Sequence, residues 1–192
     1  GARIVAGETF CARYLFRMEK AWYTEGDNSE FAGEREYDMN LKYKRATLED
    51  IDILTETRIE VLRAANKLSA DTDMSEVERR TYNYYQKALC DGSHIAYLIF
   101  DENRFVGAGG VSFFQVMPTY HNPNGNKAYI MNMYTDPEYR RLGIAYKTLD
   151  MLIRDTKSKG ITAISLEATE MGRPLYEKYG FVKMNDEMEL PE

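Results

Sequence analysis

The chain reads as an α/β domain of the α+β kind, a central mixed sheet with helices on both faces. Two observations predict this. The apolar periods place two helices first, then a β-hairpin, then strand, helix, strand, helix and strand, an order that needs both hairpin and crossover connections. Two of the helical segments, the one after Asp50 and the one at 143–158, also carry an apolar stripe on one face at helical spacing. No internal repeat is visible.

The first forty residues stand apart. Gly26, Asp27, Asn28 and Ser29, then Gly33, break any period behind Trp22 and Tyr23, so residues 1–40 are read as an N-terminal extension and 41–192 as the domain. Met39 followed by Asn-Leu-Lys-Tyr makes an ordinary domain start. Because the chain opens on Gly1, processing, an artificial join and an incomplete upstream region all fit.

From Leu41 the pattern is regular. A short strand at Leu41–Arg45 is followed by Thr47-x-x-Asp50, which resembles a capping box with Asp in place of Glu. The helix behind it carries Ile51, Leu54, Val61, Leu62 and Ala65 on one stripe, and Arg58 falls on that same stripe. A second helix is predicted from the capping box Ser75-x-x-Glu78 to Asp91-Gly92. Residues 94–100 and 105–116 then read as a hairpin around a turn at 101–103. Gly107, Gly109 and Gly110 inside its second strand predict close backbone packing or a bulge, since no helix opens after them as a dinucleotide loop requires.

Residues 117–126, with Pro118, His121, Pro123 and Gly125, form a loop, and 128–135 the next strand. A helix at 143–158 buries Ala145, Leu149, Leu152 and Ile153, and Gly160 stops it. A buried strand is expected at 161–168 and a short helix at 174–179. Gly180 then leads into Phe181-Val182-Lys183 and a last strand near 187–190.

Composition narrows the function classes. With 192 residues, 44% hydrophobic and 29% charged, the chain fits one globular domain rather than a disordered one. A net charge of -6 and a pI near 5.2 disfavour a general nucleic-acid binder, which needs a basic surface. No run approaches the roughly 20 apolar residues of a membrane span, and no signal-peptide core is visible. The two cysteines, Cys11 and Cys90, make neither a disulfide framework nor a zinc set, so a cytoplasmic location is expected.

The chemistry concentrates between residues 129 and 145. A strand ends in a tight turn at Asp136-Pro137, and Arg140-Arg141-Leu142-Gly143-Ile144-Ala145 opens a helix. Free N–H groups at a helix start, beside a glycine that permits close approach, form an anion cradle suited to a pyrophosphate. Arg140 and Arg141 add local positive charge, although an Arg-Arg turn is often only a solvated one. It is not a Walker A loop, which needs Lys followed by Ser or Thr.

This stretch resembles the acetyl-CoA signature of the GNAT superfamily of N-acetyltransferases, Arg/Gln-x-x-Gly-x-Gly/Ala between a strand and a helix. A second block, Leu175-Tyr-Glu-Lys-Tyr-Gly-Phe181, resembles the family's late helix and the turn after it. The resemblance covers the chain from about Leu41 onward and implies the GNAT fold with acetyl-CoA as cosubstrate and no metal. It further implies that Met133 and Tyr134 offer backbone groups to the pantetheine arm, one N–H polarising the thioester carbonyl. Arg140, Arg141, Leu142, Gly143, Ile144 and Ala145 would hold the pyrophosphate. Tyr176 stands where the family often places a general acid for the departing thiolate, with Tyr179 competing and simple packing the alternative. Thr169 replaces an asparagine common seven residues before that tyrosine.

The acceptor amine must lose a proton, which calls for a carboxylate or an ordered water. Glu167 is the leading candidate base, expected on the face opposite Ile164, Leu166 and Ala168, with Glu170 and Asn132 behind it. Arg58 either pairs with a core carboxylate or meets an anionic group of the substrate. His94 and His121 lack a companion nucleophile or metal set and are assigned no chemistry. Phe113, Phe114 and the loop at 117–126 are placed on the acceptor side by layout. The expected reaction is acetyl transfer to a primary amine by direct attack, with a small-molecule amine, an aminoglycoside or similar drug among the candidate acceptors. The family is compatible with a homodimer. The rival reading is a non-catalytic CoA-sensing or protein-binding domain.

Overall fold

The computed structural model describes residues 40–185, 187, 188 and 190. The expected extension, apart from Asn40, lies outside the described residues. The elements are β1 (Leu41–Arg45), α1 (Ile51–Asn66), α2 (Ser75–Asp91), β2 (His94–Asp101), β3 (Arg104–Gln115), β4 (Asn126–Thr135), α3 (Ile144–Ser158), β5 (Ala163–Ser165) and α4 (Arg173–Tyr179). Single 3-10 turns stand at Leu48–Asp50 and Pro137–Tyr139.

The five strands form one sheet in sequence order. The first four are antiparallel, and β5 joins β4 in parallel from Lys127↔Ala163 to Tyr129↔Ser165. The sheet is therefore mixed, and the alternation along β2 shows how both faces are covered. Ile95 and Tyr97 pack with Leu149, Leu152 and Ile153 of α3. Ala96 and Leu98 pack with Ile51 and Leu54 of α1 and Tyr85 of α2.

Local chemistry explains the element ends. The Asp50 carboxylate accepts the Thr47 N–H at 2.9 Å and the Thr47 hydroxyl at 3.2 Å, and takes the Lys44 ammonium at 2.7 Å, fixing the start of α1 to β1. At α2 the expected Ser75 cap does not form. Ser75 is already helical, and its N–H is taken by the Asp73 carboxylate at 2.9 Å, a stronger acceptor than a serine hydroxyl. Along α1 the buried face turns toward Thr55, Thr57 and Ile59, leaving Val61 and Leu62 half-buried and Ala65 exposed.

Two late expectations are corrected. The strand expected at 161–168 contracts to Ala163–Ser165 and is half-buried, because it is an edge strand and its ladder with β4 stops at Tyr129. No strand forms among the described residues after Gly180, where Val182, Met188 and Leu190 are exposed; the adjacent edge, β5, offers only a three-residue ladder.

Candidate active site

The glycines of β3 set the geometry of β4. Ala108 pairs with Tyr134 and Gly110 with Met131, so Asn132 and Met133 together face Gly109, a bulge with one extra residue on β4. Asn132 takes a left-handed φ of 55°, which asparagine tolerates better than most side chains. A Cβ on Gly109 would lie 2.7 Å from both Met133 Sδ and Thr148 Cγ2, so the close packing expected of this glycine is met from two sides. Since β5 accompanies β4 only as far as Tyr129, the outer edge of β4 from Ile130 to Thr135 has no strand neighbour among the described residues. Met133 and Tyr134 lie on this open stretch. The Tyr134 ring is buried and stacked on Phe105 at 5.9 Å, which leaves its backbone as the part available at the edge.

The open edge leads to the start of α3. Asp136 accepts the Glu138 N–H at 2.9 Å and initiates the Pro137–Tyr139 turn. Arg104 clamps that turn through Asp136 at 2.9 Å and Glu138 at 2.7 Å, and Tyr139 donates to Asp101 at 2.9 Å, so the turn is tied to the β2–β3 hairpin. Arg140 is extended and half-buried, with Nε 3.5 Å from the Thr135 carbonyl; Arg141 and Gly143 take left-handed φ values of 63° and 81°. The first bond of the helix runs from the Lys147 N–H to the Gly143 carbonyl at 3.0 Å, so the N–H groups before it open off the helix end. Arg141, Leu142 and Gly143 are exposed, Ala145 is half-buried and Ile144 is buried under Ile99 and Val106. A Cβ on Gly143 would meet no atom within 4 Å, so the glycine answers to backbone hand and leaves clear space before the cradle.

On α4 the two candidate tyrosines separate. The Tyr179 phenol donates to Asp150 at 3.0 Å, which commits its proton. Tyr176 is buried against Phe181, burial pushes its phenol above the usual value, and its hydroxyl bonds to no other described residue. Thr169 accepts the Gly172 N–H with both its carbonyl and its hydroxyl and starts the turn into α4. Ile164, Leu166 and Ala168 pack on the core while Glu167 is exposed, so the expected alternation persists although the strand does not. Glu167 hydrogen-bonds the Tyr129 phenol, which burial first and that carboxylate second push up to about 12. Glu170 is exposed.

Across the sheet lies a polar cluster that sequence reasoning missed. Tyr84 OH and Ser112 Oγ are 2.5 Å apart and each lies 3.1 Å from His94 Nδ1. The Asn132 amide reaches Tyr85 OH at 3.5 Å. His94 Nε2 and Asn132 Oδ1 are buried without a partner among the described residues. Burial, and then the Arg58 charge, lower His94 to about 4, so the ring is neutral. Only the adjacent Tyr84-Tyr85 pair on a polar helix hinted at this cluster; the rest is tertiary. Arg58 itself is half-buried on α1, and no carboxylate of a described residue lies within ion-pair distance of it. The core pairing open to it from sequence is therefore not made among the described residues. Phe114 is exposed on the same face as Ser112, with Lys127 Nζ 5.8 Å from its ring centre. Phe113 faces the other way, into the core beneath α3, and is removed from the acceptor side.

Comparison with known proteins defines the class and then the family. Solved acetyltransferase structures share the fold. A predicted acetyltransferase from Clostridium acetobutylicum, crystallised with acetyl-CoA, is 31% identical over 79% of this chain and 96% of its own, with a TM-score of 0.73. A GCN5-related N-acetyltransferase from Ralstonia eutropha is 23% identical over 79% and 98%, with a TM-score of 0.69. An aminoglycoside acetyltransferase from an uncultured soil metagenomic sample, in complex with sisomicin, is 16% identical over 79% and 95%, with a TM-score of 0.59. The acetyltransferase (GNAT) family model matches residues 62–181, and the chain belongs to that family of acetyltransferases. No curated protein matches it. Among the described residues no helix is long and apolar enough to cross a membrane.

Proposed function

We propose that the protein transfers acetyl from acetyl-CoA to a primary amine of a small molecule by direct attack, without an acyl-enzyme or a metal. The observation that carries this reading is the open edge of β4, which begins at the Asn132 bulge and ends at the left-handed Gly143 cradle. Such an edge fits an extended arm with a phosphate end, and the 31% identical Clostridium protein holds acetyl-CoA. That cosubstrate supplies an acyl group already activated as a thioester.

The chain's own residues do the rest. Backbone groups of Met133 and Tyr134 hold the arm, and one N–H at the bulge polarises the thioester carbonyl. Arg140, Arg141, Leu142, Gly143, Ile144 and Ala145 receive the pyrophosphate through N–H groups and guanidinium charge. Tyr176, neutral and uncommitted, donates a proton to the leaving thiolate. Glu167 takes the amine proton, directly or through a water, with Asn132 Oδ1 able to order that water. Arg58 and Phe114 line the acceptor side.

The test is thiol release from acetyl-CoA over a panel of amines that includes amino acids, polyamines and aminoglycosides. Release above hydrolysis with at least one amine is expected. Tight acetyl-CoA binding with no amine-dependent release would give the chain to the non-catalytic, CoA-sensing reading.

A further inference from the structure

We propose that the acceptor carries an anionic group, a carboxylate or a phosphate, received by Arg58 between α1, α2 and the bulge of β4. This rests on the transferase reading above and names the substrate class for it.

The first ground is the state of Arg58. It lies one helical turn beyond the fully buried Leu54, so its stem follows the face of α1 that packs toward Tyr85 and the sheet. The other half-buried arginines are provided for. Arg104 has two carboxylates, and Arg63 donates to the carbonyls of Ser69 at 2.7 Å and Thr72 at 2.9 Å. Arg58 makes no ion pair or hydrogen bond with another described residue, and a half-buried guanidinium without a protein acceptor is open to an anion from outside. A ligand anion supplies what the fold withholds.

The second ground is the company it keeps. Arg58 is near enough to Tyr84, Tyr85 and His94 for its charge to bear on all three. These are neutral groups, and among the described residues neither His94 Nε2 nor the neighbouring Asn132 Oδ1, both buried, has a partner. Burial raises the Tyr84 phenol and takes the Tyr85 phenol to about 12, so neither neutralises the guanidinium by ionising. The acidic groups nearest it along α1, Glu56 and Glu60, form no ion pair with it. Asn132 lies on the bulge next to Met133, so an amine held there and an anion held at Arg58 belong to one short molecule. A fork of guanidinium donors suits a carboxylate or a phosphate equally.

The experiment uses the whole chain and size-matched amines: glycine and β-alanine for carboxylates, phosphoethanolamine for phosphate, and ethanolamine and putrescine as acceptors without an anion. Acetyl transfer is followed by thiol release, and binding of each amine by calorimetry at saturating CoA, with wild type, Arg58→Gln and Arg58→Lys. The anionic amines are expected to be preferred, and Arg58→Gln to reduce that preference by about tenfold to a hundredfold, mainly in KM. Arg58→Lys should retain part of it, which separates lost charge from lost folding. The carboxylate and phosphate arms decide which anion is taken. Ethanolamine or putrescine outperforming every anionic amine, or equal losses on all amines in Arg58→Gln, overturns the proposal. If no amine is acetylated but an anionic amine binds in an Arg58-dependent way, the subsite stands and the transferase reading falls; without that binding both fall.

Discussion

The two sides of β4 are built from different materials. Its C-terminal end and the start of α3 present main chain: a bulge, two left-handed residues before a helix, and N–H groups left open by helix geometry. The side facing α1 and α2 is built from side chains drawn from five elements: Tyr84, Tyr85, His94, Ser112 and Asn132, joined by hydrogen bonds, and Arg58 beside them. A backbone device tolerates most substitutions except where hand or clearance is needed. A side-chain device can be retuned residue by residue. That difference suits a cosubstrate common to a family on one side and a chain-specific acceptor on the other.

The largest expected effect tests whether chemistry, as distinct from binding, sits between the two sides. Tyr176→Phe keeps the buried ring and removes the uncommitted proton, so turnover should fall about a hundredfold or more while acetyl-CoA affinity in calorimetry stays at the wild-type value. Unchanged turnover would take Tyr176 out of the mechanism and leave a packing residue. Tyr179→Phe makes the contrast, because its proton is already given to Asp150 and its loss bears on the packing of α3 and α4 rather than on the thiolate.

Next in size is the stability consequence of burying the polar cluster. His94 titrates near 6.5 when unfolded and near 4 when folded, chiefly because burial disfavours the imidazolium. Between those values the unfolded chain binds the proton and the folded one does not. The contribution is therefore complete above pH 6.5 and is lost as pH falls toward 4, at up to roughly 1.4 kcal/mol per pH unit. Urea unfolding between pH 7 and 5 should show this loss in wild type and a flatter dependence in His94→Gln. Parallel slopes would mean that the ring is solvated in the folded state.

This contrast also explains what could be read from the sequence. The strand, turn and helix start on which the proposed cradle rests were legible because their requirements are local: a strand, Asp-Pro, Arg-x-x-Gly-x-Ala and a helix stripe fall within some thirty residues. The glycines of β3 were legible as close packing, although nothing told that Met133 and Thr148 would press on Gly109 from two sides. The shortened β5 and the lack of a last strand among the described residues after Gly180 were not legible, because apolar residues report burial tendency and not whether a neighbouring edge is long enough to pair. His94 was set aside because its partners Tyr84 and Ser112 are 10 and 18 residues away and meet it only across the sheet. Arg58 was legible as unusual, but only the structure shows that no carboxylate of a described residue pairs with it.

The smallest effect discriminates a cradle from a mere turn. Gly143 and Gly160 stand at opposite ends of α3, with φ of 81° and 73°, and a Cβ on either meets nothing within 4 Å. Valine at either position therefore meets the same backbone objection, a β-branched residue forced toward the left-handed region, of about 1–3 kcal/mol in stability. Only at Gly143 would the new side chain also stand in front of open helix N–H groups. Gly143→Val should weaken acetyl-CoA by about tenfold, close to the loss of one charge-assisted contact, whereas Gly160→Val lowers Tm by a similar amount and leaves affinity unchanged. Because both variants carry the backbone strain, a difference between them reports clearance for the ligand alone. Equal affinities in the two would show that Arg140 to Ala145 is a solvated turn, and would move the phosphate contacts away from the start of α3.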